Sequence, residues 1–365
     1  MSVTVLPASD AIARLDAFDA IVDARSESEY AIDRLPGAVN WPTLTDEERA
    51  RVGTEYVQVS AFEARKHGAV LAARNIARHV ERELEHVPKT WSPLVYCWRG
   101  GQRSGSLATV LDRIGFRVHV LEGGYREFRR AVVAALEALP ATLEFRVVCG
   151  PTGAGKSRLL QALAAAGEPV LDLEALANHR GSVLGLVPGA AQPSQKRFDT
   201  LVWDALRRFD PARPVWVESE SRKIGDLRVP AALVVRMRAS PCVWVELALE
   251  RRVDLLLRDY SFFVHDVDAF CARLDALRAL RGGDVVEAWQ AAARAGKLRD
   301  VVRDLLVTHY DPIYLQSMRR NFAGIGEPWR RVEWDGSEAS MAGAVASLRD
   351  ATPTARSVRG LECGG

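Results

Sequence analysis

The chain has 365 residues, of which 48% are hydrophobic and 26% are charged, and its 49 Lys and Arg residues against 47 Asp and Glu residues leave a net charge of +2. These proportions are typical of globular proteins and exclude collagenous, coiled-coil and intrinsically disordered chains. With so small a net charge, an anionic partner must be attracted by a local patch of cations.

Targeting signals and cysteine pairs are not evident. The N-terminus lacks the basic and then apolar pattern of a signal peptide, and no apolar run approaches the roughly 18 residues of a membrane span. The five cysteines are an odd number without CxxC spacing, which indicates neither a disulfide framework nor a zinc site. We therefore expect a cytoplasmic protein without a membrane partner.

The first 130 or so residues alternate short β-like runs with helical stretches. Residues 20–23, 94–97 and 118–121 are predicted as buried strands, and apolar residues recur at helical intervals between Val59 and Glu85. Alternating strands and helices predict a mostly parallel sheet covered by helices on both faces.

A second pattern of this kind begins after Pro140. We predict a strand at 143–149, a glycine-rich turn and a helix at 158–165, then strands at 170–172, 215–218 and 243–246. The expected fold is therefore α/β, with one domain at 1–138 and a second at 139–335 that carries a helical extension at about 247–320. Residues 336–365 are predicted to be a C-terminal segment and tail.

The first chemical signal is Cys97, which ends a predicted strand just before a glycine-rich loop and a helix. Such a loop directs backbone N–H groups inward, and these donors stabilise negative charge on the sulfur together with the helix dipole. We predict that Cys97 is a thiolate-prone nucleophile assisted by Arg99 and Arg103. The remaining loop residues would form an anion cradle: Trp98, Gly100, Gly101 and Gln102. The alternative is a buried cysteine at a strand end.

The second signal is a match to G-x-x-x-x-G-K-[ST] between a predicted strand and a predicted helix, the context that a P-loop requires. Its N–H groups would cradle a diphosphate, Lys156 would reach the terminal phosphate, and Ser157 would contact Mg²⁺ if one is present. No other metal site is indicated. The predicted diphosphate site comprises Gly150, Pro151, Thr152, Gly153, Ala154, Gly155, Lys156 and Ser157.

Weaker candidates follow the later strands. Carboxylates at strand ends serve as metal-linked acids in ATPases, although they also pair with arginines at sheet edges. The histidines fit a structural role equally well, and arginines within 247–320 either contact phosphates or form a solvated face. The candidates for substrate or RNA contacts are Asp172, His179, Arg180, Glu218, Glu220, Arg222, Lys223, Arg228, His309 and Tyr310.

Four segments in chain order resemble landmarks of the rhodanese family: DARSESEY at 23–30, LPGAVNWP at 35–42, YC at 96–97 and LEGGY at 121–125. This resemblance implies a chalcogen carried on Cys97. The loop from Cys97 to Arg103 is one residue longer than the common rhodanese loop, a length also found in rhodanese-like phosphatases. A stand-alone phosphatase is therefore an alternative.

The segments HRGS at 179–182, QPSQKRF at 192–198, ESESRKIG at 218–225 and HYDPIY at 309–314 narrow the comparison. With the rhodanese landmarks and the P-loop, they resemble the family of bacterial tRNA 2-selenouridine synthases from about residue 20 to 314. The resemblance implies a rhodanese-like parallel-sheet domain followed by a P-loop NTPase-like α/β domain with a helical C-terminal region.

The implied activity is the replacement of sulfur by selenium in 2-thiouridine at the wobble position of tRNA. Selenophosphate would be the donor, and geranyl diphosphate the co-substrate for an S-geranyl intermediate, without a redox cofactor. The implied partners are tRNA carrying 2-thiouridine and the enzyme that makes selenophosphate. The alternatives are a P-loop kinase with a sulfurtransferase or phosphatase-like domain, and a regulatory nucleotide-binding protein.

Overall fold

The computed structural model describes residues 3–179 and 191–350. That part of the chain contains twelve strands and eighteen α-helices, which confirms the α/β class. The strands are β1 (Thr4–Leu6), β2 (Ala20–Asp23), β3 (Ala38–Asn40), β4 (Pro93–Tyr96), β5 (His119–Leu121), β6 (Phe145–Cys149), β7 (Val170–Leu171), β8 (Val215–Glu218), β9 (Lys223–Ile224), β10 (Leu227–Arg228), β11 (Cys242–Glu246) and β12 (Arg330–Glu333).

The helices connect these strands and dominate the chain after β11. They are α1 (Ala8–Ala13), α2 (Glu27–Ile32), α3 (Asp46–Gln58), α4 (Ala61–Glu83), α5 (Gln102–Ile114), α6 (Gly124–Thr142), α7 (Lys156–Ala165), α8 (Leu173–Leu176), α9 (Gln195–Leu206), α10 (Ala231–Arg238), α11 (Leu249–Asp259), α12 (Ser261–His265), α13 (Val267–Leu274), α14 (Arg278–Arg281), α15 (Gly283–Arg294), α16 (Leu298–Asp304), α17 (Asp311–Asn321) and α18 (Glu338–Arg349). A π-helical turn at Leu305–Tyr310 joins α16 to α17.

The described residues form two compact units, 3–139 with 191–207, and 140–179 with 208–350. This division differs from the continuous domains predicted from the sequence, because α9 packs with the first unit although it lies between two parts of the second. Its amphipathic pattern predicts a buried face, but the pattern does not identify the partner of that face.

The first unit is built on a five-stranded, all-parallel sheet in the order β1-β5-β4-β2-β3. The chain leaves β2 for β3 on one side and returns through β4 on the other. Ligands of open parallel sheets bind beyond the carboxyl ends of strands at such a switch point. Val22, Val95, Leu107 and Leu111 are fully buried between the sheet and its helices. This core holds β4, and therefore Cys97 at its end, in a fixed position.

Contacts from α9 complete the first unit. The Thr200 hydroxyl donates to the Asp33 carboxylate at 3.0 Å, and Arg129 pairs with Asp199. Trp203 packs edge-on against Phe128 with ring centroids 5.5 Å apart. Helix α9 is therefore part of the first unit's core and not a surface addition.

The second unit has a five-stranded, all-parallel sheet in the order β12-β11-β6-β8-β7, with β6 at its centre, and a small β9-β10 hairpin. The segment after residue 335, predicted to lie outside the domain, differs from that expectation. Met341, Ala344, Val345 and Leu348 on α18 are buried in the same core cluster as α7. Residues 351–365 of the predicted tail lie outside the described residues.

Helices α11 to α17 confirm the predicted helical region and have a core of their own, centred on Phe270, Leu274, Leu277 and Trp289. In the described part of the chain, none of the helices combines the length and the apolar character needed to cross a bilayer.

Candidate active sites

Cys97 lies between β4 and α5 and is 3% exposed. The Ser104 hydroxyl, in the first turn of α5, donates a hydrogen bond to the Cys97 Sγ at 3.1 Å. The sulfur therefore lies near the N-terminus of a 13-residue helix, where the helix dipole and free N–H groups stabilise negative charge. The structure thus places the predicted nucleophile and anion cradle in one loop.

Close backbone contacts between this loop and the start of α6 require glycine. Gly124 has φ +59°, and a Cβ there would lie 2.2 Å from the Cys97 carbonyl oxygen. Gly100 has φ +66°, and its Cβ would lie 2.8 Å from the Leu121 carbonyl oxygen. The Tyr125 N–H donates to the Cys97 carbonyl at 2.8 Å. The loop is therefore held against α6 by backbone atoms, in a shape that side chains at these glycines would prevent.

The two predicted cations of the loop have different surroundings. Arg103 donates to the Glu29 carboxylate at 2.6 and 3.3 Å, so its charge is compensated. Burial acts to raise the pKa of Glu29, but the Arg103 hydrogen bond and charge hold it below its ordinary value. Arg99 is exposed, as are Gly101 and Gln102, and no described carboxylate lies within salt-bridge distance of Arg99. Arg99 is thus the cation that remains available to an anion.

A buried polar network lies behind the loop, and sequence reasoning used its members only as family landmarks. Arg25 donates to the Asp23 carboxylate, with a shortest distance of 2.6 Å, and to the Asp33 carbonyl at 2.6 Å. The hydroxyls of Tyr96 and Tyr125 donate to Asp23 at 2.6 Å and to Asp33 at 2.8 Å, respectively. Burial raises the pKa of Asp33 despite these donors. The network fixes β2, β4 and α6 around Cys97.

The P-loop of the second unit joins β6 to α7, as the sequence predicts. Gly150, Gly153 and Gly155 all have positive φ values, between 76° and 153°. A Cβ at Gly155 would lie 2.2 Å from the Trp334 ring, and the Trp334 indole N–H donates to the Ala154 carbonyl at 2.7 Å. Trp334, which the sequence did not single out, therefore supports the loop from behind.

Lys156 is 7% exposed and lies among acceptors. Its Nζ is 3.4 Å from the Glu218 carboxylate, 3.3 Å from the Pro151 carbonyl and 5.0 Å from the centroid of the Tyr314 ring. Burial acts to lower the pKa of Lys156, but Tyr314 and the nearby carboxylates raise it above its ordinary value. Lys156 therefore remains a cation in the closed site.

Three carboxylates converge beside Lys156, with one oxygen each from Glu174, Glu218 and Glu220 within 4.8 Å of one another. The Ser157 hydroxyl donates to Glu218 at 3.0 Å and to Glu174 at 3.3 Å. Burial and the neighbouring Glu218 raise the pKa of Glu220. Carboxylate and hydroxyl oxygens suit Mg²⁺, so the residues present fit that ion. Asp172 instead caps α8, accepting from the Ala175 N–H at 2.9 Å.

An apolar cavity of about 60 Å³ adjoins the P-loop at Thr152. None of the described residues that line it is charged. The Tyr310 hydroxyl is buried and has no hydrogen-bond partner among the described residues. The other walls come from α11, α12, α13, α16, the residue between α11 and α12, and the π-helical turn: Leu256, Leu257, Tyr260, Phe263, Val264, Phe270, Leu298, Val302, Leu305 and Leu306.

Arg252 braces the P-loop, and sequence reasoning missed it. Its Nε donates to the Thr152 carbonyl at 2.8 Å, and its two terminal nitrogens donate to the Asp311 carboxylate at 2.9 and 2.6 Å. Arg252 is 5% exposed. The signal that pointed to it is Asp311 in the HYDPIY segment, although its partner lies 59 residues away in the chain.

The remaining candidates lie outside the two loops, and the His309 ring packs edge-on against Tyr310 of the apolar cavity, with centroids 4.8 Å apart. His309 accepts from the Arg281 Nε at 2.9 Å, and burial with that arginine lowers the pKa of His309. His179 is buried, which lowers its pKa. Arg222, Lys223 and Arg228 are exposed at the β9-β10 hairpin. Arg180 lies outside the described residues.

Four arginines of the predicted RNA surface at 247–320 are paired with acidic neighbours at exposed positions. Arg299 pairs with Glu250 and Asp254, and Arg303 pairs with Glu250. Arg278 and Arg294 are also paired with carboxylates. A solvated face with compensated charges therefore describes these four arginines.

Two family models match the chain, the rhodanese-like domain at residues 7–131 and the tRNA 2-selenouridine synthase AAA domain at 143–281. A tRNA 2-selenouridine synthase of Alcanivorax borkumensis is 33% identical over 80% of this chain and 88% of its own length. That of Nitrosomonas europaea is 35% identical over 66% of this chain, and the match spans 63% of the relative's length. A rhodanese-related protein from Thermoplasma volcanium is 14% identical over 35% of this chain and 92% of its own, with a TM-score of 0.24. The chain belongs to the tRNA 2-selenouridine synthase family.

Proposed function

We propose that this protein replaces the sulfur of 2-thiouridine at the wobble position of tRNA by selenium. Selenophosphate is the donor, and the route passes through an S-geranyl intermediate made from geranyl diphosphate. The observation that carries the proposal is an uncharged aromatic cavity that shares Thr152 with the P-loop. A diphosphate attached to a hydrocarbon chain matches both features. The phosphates of a nucleotide would match the loop, but its polar ribose would not match the apolar cavity.

The cavity favours a prenyl chain on energetic grounds. Each buried CH₂ group contributes roughly 0.8 kcal/mol to binding. At about 60 Å³, the cavity is smaller than a geranyl chain, so binding the chain requires its walls to move apart. The rings of Tyr260 and Phe263, which lie nearly parallel with centroids 6.3 Å apart, form part of these walls.

The first step is alkylation of the thiocarbonyl. Its sulfur attacks carbon 1 of the geranyl group, the C–S bond forms, the C–O bond breaks, and diphosphate leaves with the bonding electrons, while the base loses its N3 proton to solvent. Lys156 and the loop N–H groups stabilise the negative charge of the leaving diphosphate. To do so, the Lys156 ammonium gives up its contact with Glu218 and binds a phosphate oxygen instead. Glu174, Glu218, Glu220 and Ser157 would hold Mg²⁺, which, when bound, neutralises diphosphate charge.

The second step belongs to the Cys97 loop. Selenium of selenophosphate attacks C2, the C2–S bond breaks, and geranylthiol leaves with a proton; water then cleaves the P–Se bond and releases phosphate. This sequence needs no oxidant, whereas a selenylsulfide on Cys97 would require a two-electron oxidation. We therefore assign Cys97 and the loop N–H groups to holding selenophosphate, with Arg99 as the uncompensated cation.

The test is mass spectrometry of nucleosides from 2-thiouridine-containing tRNA incubated with the full chain, with each donor omitted in turn. Wild type should give S-geranyl-2-thiouridine with geranyl diphosphate alone and 2-selenouridine with both donors. Lys156→Ala should lower geranylation about 100-fold or more, as the loss of a transition-state charge partner does. Cys97→Ala should spare geranylation and block selenation of pre-geranylated tRNA.

Matched controls are Lys297→Ala, an exposed lysine, and Cys271→Ala, a buried thiol in the helical region. Both should behave as wild type. Equal loss of both steps in either site variant would reject this division of labour. Unchanged 2-thiouridine in every sample of folded wild type, with turnover of added ATP, would instead support the kinase alternative.

A further inference from the structure

A second, larger cavity lies in the first unit beside the Cys97 loop. It has a volume of about 640 Å³, within the usual range for small-ligand sites. Trp98 and Arg103 of the loop line it, together with Tyr56 of α3 and Tyr125 of α6. The steps proposed above assign no ligand to this space.

The aromatic rings that line the cavity differ in how firmly they are held and in how exposed they are. Tyr125 is 3% exposed and is fixed by its hydrogen bond to Asp33 and by the Arg25 guanidinium 4.1 Å from its ring centroid. The Trp98 ring lies against Tyr125, with centroids 5.3 Å apart and an angle of 30°. Tyr56 is 51% exposed, which leaves its ring accessible to a ligand. Trp98, which is held against Tyr125, and the exposed Tyr56 are therefore the two rings on which a planar ligand can stack in this cavity.

The cavity also has an excess of positive charge. Arg25 and Arg103 are compensated by Asp23 and Glu29, respectively. Arg49 has an exposed fraction of 46% and approaches Glu29 only at 3.8 Å. Lys196 lines the cavity as well, and its Nζ has no carboxylate within 4.0 Å in the described part of the chain. Two cations, Arg49 and Lys196, thus remain for an anionic ligand.

We propose that this cavity binds the uridine that is modified, with its base stacked on Trp98 and Tyr56 and its flanking phosphates bound by Arg49 and Lys196. The inference rests on the proposed function and deepens it, because it places the RNA substrate at the thiol. Bases of single-stranded loops can be extruded and stacked on aromatic side chains, while phosphates bind nearby cations. Cys97 directly precedes Trp98, so a base on that ring lies at the mouth of the selenophosphate cradle.

Aromatic rings together with unpaired cations favour a nucleotide over the two other ligands proposed for this chain, geranyl diphosphate and selenophosphate. A prenyl chain has no use for cations, and the cavity beside the P-loop, in its described lining, offers none. Selenophosphate alone has no use for three aromatic rings. A nucleotide needs both features, since its base supplies the planar face and its phosphates supply the charge.

The direct test is photo-cross-linking of the full-length protein to an anticodon stem-loop RNA that carries 5-iodouridine at the wobble position, with no donor present. Cross-linked peptides that contain Tyr56 or Trp98 are expected. Cross-links confined to the second unit, in protein that still geranylates and selenates tRNA, would overturn the inference but leave the proposed function standing. Failure of the wild-type protein to retain the RNA on a filter would overturn both.

A kinetic test supplies the second measurement. Tyr56→Ala should lower kcat/KM for selenation of geranylated tRNA about tenfold, the loss expected for one base–aromatic contact. Phe62→Ala is the matched control, because Phe62 is an aromatic residue with 65% exposure that does not line the cavity. Equal effects of the two variants would overturn the stacking role of Tyr56, as would an unchanged Tyr56→Ala enzyme.

Discussion

The Cys97 loop and the P-loop share a backbone arrangement but differ in the side chains around it. Each follows a buried strand in the interior of a parallel sheet, requires glycines in the left-handed region and ends at a helix N-terminus. The first surrounds a thiol with one compensated arginine and one free arginine, whereas the second surrounds a buried lysine with three carboxylates. Backbone N–H groups at a helix N-terminus suit both loops to an anion, and the loops differ in the side chains that would surround it.

The largest effects should come from adding one methyl group to either loop. Gly124→Ala puts a Cβ at 2.2 Å from the Cys97 carbonyl, and Gly155→Ala puts one at 2.2 Å from Trp334. A misplacement of about 1 Å can cost about 100-fold in rate. We expect Gly124→Ala to lose selenation and keep geranylation, and Gly155→Ala to lose geranylation, as measured by nucleoside mass spectrometry.

Gly105→Ala and Gly343→Ala are the controls for these variants, because a Cβ at either helical position meets nothing within 4 Å. Both should keep wild-type activity and stability. If Gly124→Ala and Gly155→Ala each abolished both steps, the two loops would not be separable sites.

Asp311→Asn tests the Arg252 brace behind the P-loop. The change leaves Arg252, at 5% exposure, without its charge partner while its bond to Thr152 remains. We expect a loss of about 2 to 3 kcal/mol in the free energy of unfolding, measured by urea denaturation. Asp268→Asn, which breaks an exposed pair with Arg294, should cost less than about 1 kcal/mol. Equal costs would contradict the bracing role.

The ion pair between Arg103 of the Cys97 loop and Glu29 predicts that the free energy of unfolding depends on pH. Because Arg103 holds the pKa of Glu29 below its ordinary value of 4.5 in the folded state, the resulting stabilisation is present above that value. It disappears as the pH falls through the lower folded value. Glu29→Gln should therefore lower the free energy of unfolding by about 1 kcal/mol at neutral pH.

The difference between wild type and Glu29→Gln should shrink in acid, which a series of urea denaturations at decreasing pH would show. Glu63→Gln, at an exposed pair with Lys66, provides the baseline. A difference that stayed constant with pH would mean that the Glu29 charge contributes nothing and that only packing changed.

The smallest effect concerns the attachment of α9. Thr200→Val removes the hydroxyl that donates to Asp33 and should cost about 1 kcal/mol, the usual value for one hydrogen bond. Thr109→Val, which removes an exposed hydroxyl on α5, serves as the control. A Thr200→Val protein as stable as the control would show that solvent satisfies Asp33 equally well.

Local patterns were enough to predict the parallel strands, the P-loop and the cysteine loop. Each is a short apolar run followed by glycines, and its identity is contained within about ten residues. Arg252 and Trp334 were not predicted as site residues, because their roles depend on partners far away in the chain. Helix α18 has apolar residues at helical spacing, Met341, Ala344, Val345 and Leu348, but this pattern does not show that its buried face packs in the core of the second unit.

The cavities depend still more on tertiary packing. Tyr56 lies on a helix with no buried residue, and nothing in its neighbourhood along the chain relates it to Trp98. Tyr310 was predicted to contact substrate, and the structure places it in the apolar cavity, yet its residue type alone did not separate that role from core packing. Local sequence patterns predict a loop whose functional residues are consecutive. They do not predict a pocket, because its lining residues come from several elements that are distant in the chain.

The position of α9 also constrains the order in which the chain can fold. Asp33 and Phe128 receive Thr200 and Trp203 from a segment that follows the P-loop in the sequence. During synthesis the first unit therefore remains incomplete until residue 207 has left the ribosome, after β6 and β7 of the second unit's sheet have been translated. A fragment that ends at residue 138 lacks this helix and therefore loses the contacts that Thr200 and Trp203 make with Asp33 and Phe128.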